Sequence, residues 1–190
     1  MKPLYIPSPR QLVKQFLETD FYEDPDMIPN IELFPEACPI SDSIADLEKW
    51  VNQQAITRTI TTIWIHCTGT PVNTSVESIR RYWSNNLGWK NPGYHIVFSQ
   101  EGYTVLQDLQ YPTNGVRGHN AKGIHLSYVG GLQNGKAIDT RNLNQAQMLH
   151  ATVQMLLLRW PHLDVRGHNE VSAKACPCFN VMQEFSYARK

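Results

Sequence analysis

The chain has 190 residues, of which 42% are apolar and 18% are charged, and its 17 basic and 17 acidic side chains give a formal net charge of zero. This composition indicates a folded globular protein rather than a disordered chain. The balanced charge argues against nucleic acid as the main partner, because phosphate binding relies on an excess of Lys and Arg. The sequence shows neither a secretory signal nor an apolar stretch of membrane-spanning length. We therefore expect synthesis in the cytoplasm and no stable insertion into a membrane.

Residues 1–55 differ in pattern from the rest of the chain. A short helix is predicted over residues 11–17, and an acidic, proline-bearing stretch without periodicity follows over residues 20–39. Apolar residues then recur at helical spacing, which predicts a second helix beginning near Ser41 or Ser43. We interpret residues 1–55 as an N-terminal appendage packed on the main domain. A segment that docks a partner is the alternative.

Residues 56–190 are expected to form the main domain, in which apolar strands alternate with long helices. One helix is predicted over residues 76–87, after a capping box that begins at Thr74, and another over residues 144–160. Strands separated by long helices indicate an α/β fold with one central sheet. The predicted strands, the second and third of which form a hairpin, cover residues 57–65, 94–99, 103–106, 124–129 and 163–165.

Residues able to bind a metal stand where predicted strands end. His66 follows the first strand, His168 follows the last, and Cys176 lies eight residues after His168. Imidazole and thiolate are both good zinc ligands, and three of them would form a catalytic site with an open fourth position. Lys174 lies two residues before Cys176, so its ammonium would be placed to stabilise an oxyanion if this segment is extended. These residues alone leave open whether they form a zinc site or are ordinary structural residues.

Four segments resemble the type 2 N-acetylmuramoyl-L-alanine amidases, a family that includes phage lysins and animal peptidoglycan recognition proteins. The sequence IHCTGTP at residues 65–71 resembles the first zinc motif of the family, and GHNEVSAKACP at residues 167–177 resembles its terminal zinc motif. Between them, two more segments resemble the family's central motifs: Gly88-Trp89 followed by GYHIV at residues 93–97, and HLSYVGG at residues 125–131. The resemblance runs in order from about residue 58 to residue 181.

This resemblance implies roles for five residues. His66, His168 and Cys176 would be the zinc ligands, and Tyr94 and Lys174 would be the catalytic pair near the metal. The implied fold is a single mixed central sheet flanked by helices. The implied reaction is hydrolysis of the amide between the lactyl group of the glycan and L-alanine of the stem peptide, with peptidoglycan or a muropeptide as substrate. We expect a monomeric phage-type lysin that reaches the cell wall after holin-type release.

Two other functions fit parts of the pattern. A peptidoglycan recognition module would bind without cutting, but such family members typically lack the thiolate that Cys176 supplies. A structural zinc site in an unrelated interaction domain usually has four ligands in tight pairs. Within the terminal motif, Glu170 is either a general base or a turn cap and ion-pair partner. We interpret His95 and His125 as structural or groove-lining residues, and Cys67 as a core residue.

Overall fold

The computed structural model describes the backbone of residues 40–189 and the side chains of residues 44–189. The helix predicted over residues 11–17 and the acidic stretch over residues 20–39 lie outside the described residues. Within the described part of the chain, no helix combines the length and the apolar character that a membrane span requires.

The architecture is a mixed β-sheet flanked by helices, as the sequence predicted. The described strands are β1 (Thr62–Cys67), β2 (Ile96–Phe98), β3 (Tyr103–Val105), β4 (Gly123–Tyr128), β5 (Leu132–Gln133), β6 (Lys136–Ala137) and β7 (Asp164–Gly167). Five of them form one sheet in the order β3-β2-β4-β1-β7. Its neighbouring strands are parallel except β2 and β3, which form the predicted antiparallel hairpin. Strands β5 and β6 form a separate ribbon.

Helices cover both faces of this sheet. The described helices are α1 (Ile40–Gln53), α2 (Val76–Asn85), α3 (Leu143–Arg159) and the short α4 (Val181–Glu184). Helices α1 and α3 pack against each other on one face, whereas α2 packs on the other face. Single turns of 3-10 helix occur at Asn120–Lys122, His168–Glu170 and Ser186–Ala188. The predicted bounds of α3, of the hairpin strands and of the last strand agree with the structure to within two residues.

Side chains alternate between the two faces of the sheet, and the two faces differ in chemistry. On the face covered by α1 and α3, Ile63 and Ile65 of β1 join Leu126 of β4 in the main apolar core. The opposite face carries His66 on β1 and His125 on β4, both completely buried. We call these two surfaces the core face and the site face. The strands that build the core therefore also hold buried imidazoles in fixed positions.

Helix α1 contributes to the main core. Its Leu47 and Val51 are almost completely buried in the cluster that contains α3. The guanidinium of Arg159, at the end of α3, donates to the carbonyl oxygen of Val51 over 2.9 Å. This bond satisfies one of the carbonyls that the last turn of a helix leaves unpaired. The division of the chain at residue 55 stays a prediction.

Strand β1 begins and ends later than predicted. It was expected over residues 57–65 and it covers Thr62–Cys67. The segment before it is bonded to loops, because the guanidinium of Arg58 donates to backbone carbonyls, including that of Gly123 at 2.8 Å. His66 therefore lies inside the strand, one residue before its end.

Helix α2 begins at Val76, as predicted, but its N-cap is not the residue that the capping box predicted. Ser75, rather than Thr74, is the N-cap, and its hydroxyl accepts the backbone N–H of Ser78 over 3.2 Å. The helix ends before Gly88, where a φ of +64° turns the chain. Leu87 consequently leaves the apolar stripe of the helix and is 42% exposed.

Candidate metal site

His66 lies on β1 with its imidazole on the site face, completely buried. Its neighbours Ile65 and Cys67 belong to the main core on the other face, so the strand backbone fixes the direction of the ring. The Nδ1 atom of His66 lies 3.7 Å from Cys176 Sγ. The Nε2 atom lies 3.1 Å from His125 Nδ1. The ring therefore presents one nitrogen to the C-terminal loop and the other to the sheet.

The other two predicted ligands come from the segment that follows β7. His168 begins a 3-10 turn directly after that strand, and its ring centroid lies 4.9 Å from that of His66. The Sγ atom of Cys176 accepts the backbone N–H of Cys67 over 3.2 Å. The segment from His168 to Cys176 is thus held against the carboxyl end of β1.

The three predicted ligands lie close enough to share one metal ion. The ligand atoms of His66, His168 and Cys176 all lie within 4.8 Å of one another. Zinc bonds to sulfur and nitrogen at a tetrahedral angle would separate those two atoms by roughly 3.5 Å, close to the 3.7 Å between Cys176 Sγ and His66 Nδ1. Two imidazoles and one thiolate are a donor set that suits zinc. Among residues 44–189, no fourth side chain joins the group, which is the pattern of sites with an open position.

Tyr94 lies beside the first ligand. Its ring centroid is 5.0 Å from that of His66, and its hydroxyl donates to the carbonyl oxygen of Cys67 over 3.3 Å. Burial raises the pKa of Tyr94 above its usual range, and the electrostatic effect of Cys176 raises this pKa further. The phenol is therefore neutral at physiological pH and can donate a hydrogen bond at the edge of the site.

Lys174 brings positive charge close to two of the predicted ligands. Burial lowers the pKa of His66 well below its usual range, and the charges of His168 and Lys174 lower it further. Burial and then the charge of Lys174 lower the pKa of His168 as well. Both imidazoles are therefore neutral at physiological pH, and the neutral form is the one that binds a metal. Lys174 itself is exposed on the loop.

Glu170 anchors the turn that follows β7. Its Oε1 atom accepts the backbone N–H of Gly167 over 2.8 Å, and its carboxylate accepts two hydrogen bonds from Arg189 at 2.9 and 2.8 Å. Arg189 also donates to the carbonyl oxygen of Val165 over 2.8 Å. Of the two interpretations made from the sequence, the structure favours the turn cap and ion pair, because both carboxylate oxygens are engaged in these bonds.

The loop that carries the third ligand is also fixed from the core. Tyr128, completely buried on β4, donates its hydroxyl proton to the carbonyl oxygen of Pro177 over 2.7 Å. The guanidinium of Arg141 lies 3.4 Å from the ring centroid of Phe179. Arg141 also donates to both carboxylate oxygens of Glu184 on α4, at 2.7 and 2.9 Å. These contacts restrain the loop on its far side.

Two further histidines lie beside His66 on the site face, with His125 next to His66 and His95 next to His125. The rings of His95 and His125 are completely buried and nearly parallel, with centroids 5.8 Å apart. The backbone N–H of His125 donates to His95 Nδ1 over 2.9 Å. Burial is the main cause that lowers the pKa of His95 to about 3 and the pKa of His125 well below its usual range. The contact between His125 and His66 was not predicted from the sequence. The alternation of His125 and Ser127 with apolar residues along β4 was a signal for it.

The other two described cysteines, Cys67 and Cys178, lie next to each other at the main core, on the opposite side of β1 from the His66 ring. Cys67 belongs to the main core, as predicted, and its Sγ atom lies 3.7 Å from that of Cys178. A hydrogen bond with Cys176 is the largest of the causes that raise the pKa of Cys67, and burial raises the pKa of Cys178 to about 12. Both are free thiols, and these pKa shifts keep them protonated at neutral pH.

A cavity of about 260 Å³ lies between α2 and the loop that follows this helix. Trp83 lines the cavity and makes an edge contact with Tyr94, their ring centroids being 5.4 Å apart. The cavity therefore adjoins the site. Its lining also includes the aromatic Trp89 and the basic Arg80, Arg81 and Lys90.

Known proteins identify the family of the chain. None of the family models compared with the sequence matches it. The endolysin of Escherichia phage T7 is 32% identical over 124 residues, which cover 63% of this chain and 81% of the relative. The chain belongs to the amidase family of phage endolysins and peptidoglycan recognition proteins.

Solved structures of amidase-family proteins have the same fold. The Ph2119 endolysin from Thermus scotoductus MAT2119 bacteriophage Ph2119 matches with a TM-score of 0.58 and 21% identity, over 76% of this chain and 97% of that chain. The endolysine N-acetylmuramoyl-L-alanine amidase LysCS from Clostridium intestinale URNW matches with a TM-score of 0.57 and 18% identity, over 68% of this chain and 85% of that chain. At these identities the likeness concerns the fold alone.

Proposed function

We propose that this amidase-family chain is a zinc-dependent N-acetylmuramoyl-L-alanine amidase that acts on the bacterial cell wall. It hydrolyses the amide between the lactyl group of the glycan and L-alanine of the stem peptide. The observation that carries the proposal is the approach of the ligand atoms of His66, His168 and Cys176 to within 4.8 Å of one another. The names of a sequence relative, an endolysin, and of a structural neighbour, an amidase, support this substrate and this bond.

His66, His168 and Cys176 hold the zinc ion. When bound, zinc supplies Lewis acidity toward the scissile carbonyl and toward a water molecule. The two buried or half-buried imidazoles are neutral and offer lone pairs, and the backbone N–H of Cys67 supports the thiolate of Cys176. The strand and the anchored loop fix these groups before substrate arrives, so little reorganisation is needed on binding.

Lys174 and Tyr94 stabilise the charge that develops on the scissile carbonyl. The ammonium of Lys174 is exposed on the loop and its charge acts on both histidine ligands, which supports a role in stabilising an oxyanion beside them. The neutral phenol of Tyr94 bonds to the carbonyl oxygen of Cys67 and can turn its proton toward the oxyanion. We do not assign Glu170 as the general base, because its carboxylate is bonded to Arg189 and to Gly167.

The cavity beside α2 is the proposed binding surface for the stem peptide. Peptidoglycan stems carry carboxylates, and the cavity presents Arg80, Arg81 and Lys90 next to Trp83. Because Trp83 contacts Tyr94, a peptide bound there would extend away from the metal site.

Digestion of purified sacculi tests this function directly. Protein of measured zinc content is incubated with sacculi, with and without a chelator, and the products are analysed by mass spectrometry. We expect free stem peptides that begin with L-alanine, together with uncut glycan strands. Chelation should abolish the release and added zinc should restore it. Cleaved glycan or cuts within the stem would assign a different bond, and zinc binding without any cleavage would indicate a recognition module.

A further inference from the structure

The two ring nitrogens of His66 have different neighbours. Nδ1 lies 3.7 Å from Cys176 Sγ, on the side of the other ligands, whereas Nε2 lies 3.1 Å from His125 Nδ1. A neutral imidazole carries its proton on only one of its two nitrogens. For Nδ1 to offer a lone pair to a metal, the proton must therefore reside on Nε2. That buried N–H needs an acceptor, because an unpaired one is costly.

His125 supplies this acceptor at a fixed position. Its ring is completely buried and lies between two glycines. A Cβ atom on Gly115 would come within 2.2 Å of His125 Nδ1, and a Cβ atom on Gly123 within 2.6 Å of His125 Nε2. Any larger residue at either position would displace the ring, since real Cβ contacts do not fall below 3.0 Å. The fold thus makes space for an imidazole at this point.

His95 fixes the backbone that carries His125. Because His95 Nδ1 accepts the backbone N–H of His125, the proton of the His95 ring resides on Nε2. That Nε2 atom lies 3.0 Å from the carbonyl oxygen of Tyr111, to which it donates. His95 therefore bonds to the main chain of His125 and leaves the Nδ1 atom of the His125 ring to His66.

We propose that His125 is a positioning residue for the metal. Its Nδ1 accepts the proton on His66 Nε2 and so favours the tautomer in which His66 Nδ1 binds the ion. The proton of the His125 ring then lies on Nε2, which has no hydrogen-bond partner among the described residues. The pair thus gains one N–H···N bond, while the unpaired N–H moves from His66 to His125. This inference rests on the proposed function only for the existence of the metal site. Groups that hold the outer nitrogen of a metal-ligating histidine orient its ring and raise its basicity, and their loss typically weakens metal binding about 10–100-fold.

Three variants of the full chain test this role. His125→Leu removes the acceptor, whereas His125→Asn places an amide oxygen near the position of Nδ1. Thr113→Val is the control, because it changes a buried side chain whose hydroxyl has no hydrogen-bond partner among the described residues. Zinc affinity is measured by competition with a chromophoric chelator, and unfolding of the metal-free proteins is measured in parallel.

We expect His125→Leu to weaken zinc binding about 10–100-fold, His125→Asn to recover most of the affinity, and Thr113→Val to remain near wild type. The tautomer of His66 can also be measured directly in the wild-type protein. Nitrogen-15 NMR of the zinc-loaded chain should show His66 protonated at Nε2.

Several results would overturn the inference. These are wild-type zinc affinity in His125→Leu, equal weakening in His125→Leu and His125→Asn, or a His66 ring protonated at Nδ1 in the zinc-loaded protein. Each of them leaves the proposed amidase activity standing. A wild-type chain that binds no zinc would instead overturn the proposed metal site and this inference together.

Discussion

The hydroxyl of Tyr128 donates to the carbonyl oxygen of Pro177 over 2.7 Å. Tyr128 points to the core face of β4, and Pro177 directly follows Cys176 in the loop that supplies two of the proposed ligands. The apolar interior of the protein is thus bonded to the backbone next to the thiolate. Packing in the core and geometry at the metal site are linked through this one contact.

Tyr128→Phe should weaken both the fold and the metal site. The ring would still fill its place, but the carbonyl of Pro177 would lose its donor, which costs about 1–3 kcal/mol of unfolding free energy for a buried group. Zinc should also be released faster to a chelator, because the loop is held less firmly. Urea unfolding of the metal-free protein and stopped-flow zinc release measure the two effects. If neither changes, the other anchors alone hold the loop.

Loss of any proposed ligand should remove zinc and activity. His66→Ala, His168→Ala and Cys176→Ser each delete one of the three donors. We expect metal affinity to fall by more than the roughly 10–100-fold typical of losing an outer partner. Cys178→Ser is the control, since it removes a thiol of the same loop whose Sγ lies beside Cys67. Full activity in any of the three ligand variants, measured as stem-peptide release, would contradict the ligand set.

Lys174→Ala and Tyr94→Phe should retain zinc but turn over slowly. Each removes one group proposed to stabilise the oxyanion, and loss of one such donor typically lowers kcat by about 10²–10³-fold. Zinc content and the rate of stem-peptide release are measured on the same samples. Tyr82→Phe, which removes an exposed hydroxyl from α2, serves as the control. Loss of zinc from either variant would show that its residue maintains the structure of the site instead.

Glu184→Gln should reduce stability at neutral pH but not at low pH. Burial by itself raises the pKa of Glu184, but hydrogen bonds from Arg141 and His150 outweigh it and lower the pKa to about 2. A carboxyl whose pKa is lower in the folded state stabilises the fold above its unfolded pKa of about 4.3, and this contribution is lost as the pH falls toward 2.

The difference in unfolding free energy between wild type and Glu184→Gln should therefore be about 2–3 kcal/mol above pH 5. It should shrink between pH 4.3 and pH 2. Urea unfolding at several pH values measures it, with Glu77→Gln as a control at an exposed pair, 4.0 Å from Arg80. A difference that is the same at pH 7 and pH 2.5 would refute the assigned ionisation of Glu184.

The sequence predicted elements better than it predicted contacts. Helical periodicity and turn residues placed α3 and the hairpin within two residues, because those signals are local. The start of β1 was wrong, because the bonds of Arg58 reach carbonyls more than fifty residues away. Thr74 and Ser75 are adjacent hydroxyl residues, and only the three-dimensional path of the chain decides which of them caps α2.

At the candidate site, too, the residue types were predicted from the sequence, whereas the contacts between distant residues were not. His66, His168 and Cys176 were first grouped by their ligand chemistry and by their places at predicted strand ends, and the family resemblance then assigned them as the zinc ligands. The contact between His66 and His125 depends on the register of β1 against β4, which one sequence does not specify. Glu170 had two interpretations until Arg189 was seen to bond its carboxylate.

Apart from the contact of Tyr128 with Pro177, strands β1 and β4 keep the side chains that set thermal stability separate from those that set the chemistry. Successive residues point to opposite sides, so a substitution at Ile63 or Leu126 alters packing against α1 and α3, whereas one at His66 or His125 alters the ligand environment. Effects of well-separated positions usually add. A lineage adapting to a warmer host can therefore exchange its interior side chains and keep its ligand set. Laboratory evolution of a more robust enzyme would do best to vary the core face while keeping Tyr128, whose hydroxyl holds the ligand loop.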